Sequence, residues 1–107
     1  SKSKEELEQL ITRIIRTSPQ NSTDISVDFL YQLSDYNITN LVHLVYILLG
    51  QVGYLTKDNL LQLADYYGFK NVTKKKINAT LYNNKNLFGY RTFSNLDAPN
   101  CQYWYMK

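Results

Sequence analysis

Between Thr39 and Gly50 the chain packs seven apolar residues, Leu41, Val42, Leu44, Val45, Ile47, Leu48 and Leu49, into a ten-residue stretch. Wound as a helix over 40–49, they cover nearly every side, and a helix that is apolar all round is a buried one. The rest of the chain is therefore expected to wrap it. Thr39 is the expected N-cap and Gly50 the expected stop. No apolar run approaches the ~20 residues of a membrane span, so this helix belongs inside a core and no membrane partner is expected. At 107 residues the chain suits one compact domain, which hides roughly two-thirds of its unfolded surface and needs no staples. Its single cysteine, Cys101, excludes an internal disulfide and any thiolate-rich zinc site. The missing initiator Met and the lack of a basic-then-apolar leader read as an excised intracellular fragment, nuclear or cytoplasmic.

Two helices are expected before the central one. Ser3 caps the first, Glu5 and Glu6 suit its positive end, and Leu7, Leu10, Ile11, Ile14 and Ile15 recur at helical spacing. It stops near Thr17, because Pro19 disfavours helical geometry at Ser18. Residues 20–24 are polar and read as loop, and a short second helix carries Val27, Phe29, Leu30 and Leu33. After the central helix, Tyr54-Leu55 is a candidate strand stub. Thr56 caps a helix with Leu60, Leu61, Leu63, Ala64 and Tyr67 inward and Gly68 at its end. Thr73 caps a further helix over 73–84. Residues 89–93 and 102–106 are β-rich, with aromatics expected on alternating sides, and the turn formers between them make a hairpin. The expected class is α+β, mainly α. From Thr39 the order is helix, strand stub, helix, helix, strand, strand, that of a winged helix-turn-helix (39–107) preceded by an N-terminal helical extension (1–38). The last helix is then the recognition helix and the hairpin over 89–106 the wing.

Charge separates along the same line. The formal net charge of +3 divides into −3 over residues 1–69 and +6 over residues 70–107. An acidic front joined to a basic tail points to a surface built for an anion, most often nucleic acid. On the helix over 73–84, Ile77 and Leu81 form the inward stripe, while Lys74, Asn78 and Tyr82 at i, i+4 and i+8 line a second face flanked by Lys75 and Lys85. Such a face offers charge to phosphate, an amide to the backbone and a ring to a base or sugar. Arg91 on the wing adds a further cation.

The run Lys74-Lys75-Lys76-Ile77-Asn78-Ala79-Thr80-Leu81-Tyr82 resembles the recognition helix of the Z-alpha domains, which bind left-handed Z-form DNA and RNA. The resemblance covers residues 39–107. It implies that Lys74, Asn78 and Tyr82 contact the zigzag backbone and an exposed syn base. It also implies that Lys75 is a secondary phosphate contact, and that Trp104 in the wing supports Tyr82 edge to face. The family usually carries two adjacent prolines just ahead of the Trp; here that stretch is Asn100-Cys101-Gln102-Tyr103, with Pro99 five residues ahead of Trp104. A second, weaker resemblance is to the winged helices of the replication protein A middle subunit and the telomere-capping Stn-type subunit. It implies a protein-interaction domain in a replication, telomere or transcription complex, with the first two helices available to a protein partner.

No phosphate loop, zinc-protease helix, nucleophile elbow or spaced carboxylate pair is present, so neither an enzyme nor a small-molecule substrate is expected. His43 and Cys101 lack the companions that metal binding or nucleophilic catalysis needs, and no cofactor is expected. Tyr (10 residues) and Asn are over-used, a bias that an AT-rich genome also produces.

Overall fold

A computed structural model describes residues 3–19, 25–93 and 101–107. The loop expected over 20–24 and the turn formers over 94–100, Pro99 included, lie outside the described residues. Among the described residues the protein is mixed α+β and mainly helical, with five α-helices, one 3-10 turn and one two-stranded antiparallel sheet. None of these helices is long and apolar enough to cross a membrane.

Helix α1 (Lys4–Thr17) starts where the Ser3 side chain accepts the Glu6 amide and ends at extended Ser18, ahead of Pro19. Its buried stripe is Leu7, Leu10, Ile11 and Ile14. Helix α2 (Val27–Gln32) and the 3-10 turn Leu33–Asp35 bury Leu30 and Leu33 but leave Phe29 40% exposed. These residues share one continuous core with Leu44, Leu48, Leu63, Ile77, Leu81 and Trp104. Tyrosine hydroxyls fasten the N-terminal helices further: Tyr66 donates to the Ser3 carbonyl, Tyr67 to Leu30 and Tyr103 to Thr17. Three of the over-used tyrosines thus hold chain segments 37 to 86 residues away.

The central helix differs from expectation at both ends and on one face. Helix α3 spans Leu41–Val52, and its cap is Asn40, not Thr39; the Asn40 side chain accepts the Val42 amide at 2.9 Å. Gly50 lies within the helix, which runs on until Val52 is buried and Gly53, at φ 104°, closes it. Nor is the helix buried all round. His43, Tyr46 and Gly50 are exposed, and their spacing forms a single outward stripe.

Helix α4 (Lys57–Tyr66) opens with a capping box, in which the Thr56 hydroxyl accepts the Asn59 amide and the Asn59 side chain accepts the Thr56 amide. It closes on Gly68 at φ 97°, where Phe69 N–H donates to Ala64 and Gly68 N–H to Asp65, a Schellman closure. Tyr66 takes the buried position expected of Tyr67, which is only partly buried. Helix α5 (Lys74–Tyr82) is capped by Thr73, buries Ile77, Thr80 and Leu81, and ends two residues short of the expected Asn84.

Strands β1 (Phe88–Arg91) and β2 (Tyr103–Met106) pair with Tyr90 opposite Trp104 and Arg91 opposite Tyr103. The expected stub at Tyr54-Leu55 reduces to one bridge: Leu55 and Trp104 exchange both backbone hydrogen bonds, at 3.0 and 2.8 Å. The aromatics of the two strands do not alternate simply between core and solvent. Tyr103 and Trp104 are both buried, because the core covers Trp104 on one face while α1 reaches the hydroxyl of Tyr103 on the other.

Candidate nucleic-acid interface

The inward stripe of α5, Ile77 and Leu81, is wholly buried. Helical geometry then turns Lys74, Asn78 and Tyr82 along another face. Lys74 and Lys75 at its start are exposed, while Asn78 and Tyr82 are partly buried. At the far end Tyr82 packs on the hairpin. Its ring and that of Trp104 stand at 84° with centroids 5.1 Å apart, and Tyr90 lies 6.2 Å from it. Gln102 completes this contact, its Nε2 3.4 Å from the Tyr82 hydroxyl.

Two ammonium groups lie over the Tyr82 ring, Lys57 Nζ at 5.4 Å and Lys85 Nζ at 5.6 Å from the centroid. Each is a cation–π contact. Together they set positive charge against a partly exposed ring. Trp104 is 1% exposed and serves as the support beneath Tyr82, with no free face for a ligand.

The structure thus brings Lys74, Asn78, Tyr82, Lys85 and Trp104 into one patch, with Lys75 exposed next to Lys74. It does not bring Arg91 there. Adjacent strand residues point to opposite faces, and the Arg91 guanidinium sits over Phe93 at 5.4 Å and reaches the Tyr54 hydroxyl at 3.3 Å.

Three participants carry no signal in the sequence. Lys57 and Asp58, at the start of α4, reach this patch only because α4 packs on α5. Asp58 Oδ1 accepts from Lys74 Nζ at 3.1 Å with both side chains exposed, so the first cation of the face is already paired within the chain. Tyr90, 48% exposed, is the third, and it packs on Trp104 at 5.0 Å.

Outside this patch, among the described residues, no group of three or more His, Cys, Asp or Glu is placed to hold a metal ion. His43 is exposed on α3 and Cys101 is partly buried. No family's sequence model matches the chain, and no curated protein or solved structure is significantly similar to it.

Proposed function

We propose that this protein is a winged-helix domain that binds nucleic acid through α5 and the β1–β2 hairpin, with left-handed Z-form duplex as the preferred ligand. The observation that carries this is the Tyr82 cluster: a partly exposed ring braced at 84° by buried Trp104 and contacted by two lysine ammoniums within 5.6 Å. That arrangement supports the edge-to-face role implied for the wing tryptophan by the Z-alpha resemblance. In this account α3, α4 and α5 are the helical part and the hairpin is the wing. Lys74, Lys75, Lys85 and Lys57 neutralise phosphates, Asn78 bridges to the backbone, and Tyr82 packs on a base. The free N–H groups at the start of α5 favour phosphate as well.

Phosphate contacts release counterions, so affinity falls steeply with salt. Four lysine contacts give a slope of about −3.6 in log K against log salt, at roughly −0.9 per phosphate on B-form duplex. Fluorescence anisotropy of a labelled alternating CG duplex across a salt series measures it. Lys57→Ala and Lys75→Ala each shallow the slope by about one. A slope near zero, or no binding at any salt, rejects the proposal.

A protein-recruiting winged helix of a replication, telomere or transcription assembly is the second reading. One observation favours it: Phe29, Tyr31 and Tyr36 are exposed along α2 and the turn after it. The apolar stripe of α1 is spent inside the core, so a protein partner would meet these three aromatics. Binding to no form of DNA or RNA, together with a partner lost on Phe29→Ala and Tyr36→Ala, selects that reading.

A further inference from the structure

Beside the Tyr82 cluster the hairpin holds a cleft that shares Tyr82 and Lys85 with the duplex contacts above and adds Tyr90 and Lys107 to them. It measures about 310 Å³ and is lined by Tyr82, Tyr90, Trp104, Tyr105, Lys85 and Lys107 among others. That volume is at the small end of ligand sites and suits one nucleotide better than a longer segment. No acidic residue lines it. Resting on the nucleic-acid reading, we propose that this cleft receives a single unpaired nucleotide, its base stacked on Tyr90 and its phosphate held by Lys85 and Lys107.

Tyr90 has the right exposure for a platform. One side of its ring packs on Trp104, at 5.0 Å and a tilt of 47°, yet 48% of the residue remains open. A ring backed by a buried partner loses little conformational freedom on binding, and base–aromatic stacking tolerates any base. Lys107 donates its backbone N–H to the Leu87 carbonyl at 2.9 Å, which anchors the residue whose ammonium would take the phosphate. Stacking surface and two cations in one small acid-free cleft match the two halves of a nucleotide.

The test compares an alternating CG duplex with the same duplex carrying one bulged 2-aminopurine, by anisotropy with the intact protein. The bulged duplex should bind about five- to a hundredfold more tightly, the range expected for one stacked base. Its 2-aminopurine fluorescence should fall on binding. Tyr90→Ala should abolish the preference, and Tyr90→Phe should keep it. Lys107→Ala, whose side chain is exposed, should reduce it in a fold that is not disturbed. Equal binding of both duplexes by the wild type, unchanged 2-aminopurine fluorescence, or a preference that survives Tyr90→Ala overturns the subsite and leaves the duplex reading standing. Failure to bind either duplex overturns both.

Discussion

The rings of Tyr82 and Trp104 meet nearly at right angles, with centroids 5.1 Å apart, so the exposed end of α5 rests on a residue of the core. Trp104 also exchanges backbone hydrogen bonds with Leu55 and pairs with Tyr90 across the sheet. The site's geometry and the core's packing therefore depend on the same side chain. Trp104→Ala should cost about 3–5 kcal/mol. Trp104→Phe should cost less than about 1.5 kcal/mol, because it also removes Nε1–H, which is buried without a hydrogen-bond partner among the described residues and carries a penalty of about 1–3 kcal/mol. Urea unfolding midpoints measure both, and equal losses would show that an aromatic ring is not what the position requires.

Asp58 opposes the function proposed for its neighbour. It pairs with Lys74 at 3.1 Å in the open, an arrangement worth about 0–1 kcal/mol to the fold, and it sets a negative charge where a phosphate would arrive. Asp58→Asn should raise duplex affinity about two- to fivefold at low salt, with the gain fading as salt screens it. Stability should fall by less than about 1 kcal/mol, from loss of an acid in the first turn of α4. Anisotropy titrations at two salt concentrations read the effect, and unchanged affinity would mean Lys74 makes no phosphate contact.

The fastening of the N-terminal helices should appear at alkaline pH. Tyr67 is pushed up from the ordinary phenol value of 10.0, first by burial and then by Tyr66; Tyr66 is raised by burial, Tyr31 and Glu6. The folded state thus holds these protons more tightly than the unfolded chain. The stabilisation is complete below pH ~10 and is lost as pH climbs from there toward the raised folded values. Tyr67→Phe should make the decline between about pH 10 and 12 shallower. At neutral pH it should cost about 1–2 kcal/mol, through the deserted Leu30 carbonyl. Denaturant unfolding at stepped pH measures both quantities.

The two glycines at the end of α3 should respond in opposite directions. Gly50 is exposed inside the helix, and a Cβ there meets nothing within 4 Å, so Gly50→Ala should stabilise by about 0.5–1 kcal/mol. Gly53 sits at φ 104°, which side-chain-bearing residues rarely adopt, so Gly53→Ala should destabilise by about 1 kcal/mol or more. Thermal melts of the two variants test the helix boundary directly.

Much of this architecture was legible because its signals are local. Ser3, Thr56 and Thr73 cap the helices they were expected to cap, and Gly68 ends α4. Gly50 misled because composition alone does not say which glycine takes positive φ; burial of Val52, one turn beyond Leu48 and Leu49, carries α3 on to Gly53. The α5 face followed from spacing within one helix. Lys57, Asp58 and Tyr90 did not, because their place beside Tyr82 and Lys74 is set by packing between elements. Arg91 was assigned by charge alone, and strand alternation carries it to the other face of the hairpin.

The most direct test of the central claim is circular dichroism of an alternating CG duplex titrated with the protein. Wild-type protein should invert the right-handed duplex spectrum at saturation, and Tyr82→Ala should bind without inverting it. A right-handed spectrum unchanged under saturating wild-type protein would contradict recognition of the Z form by α5 and the hairpin.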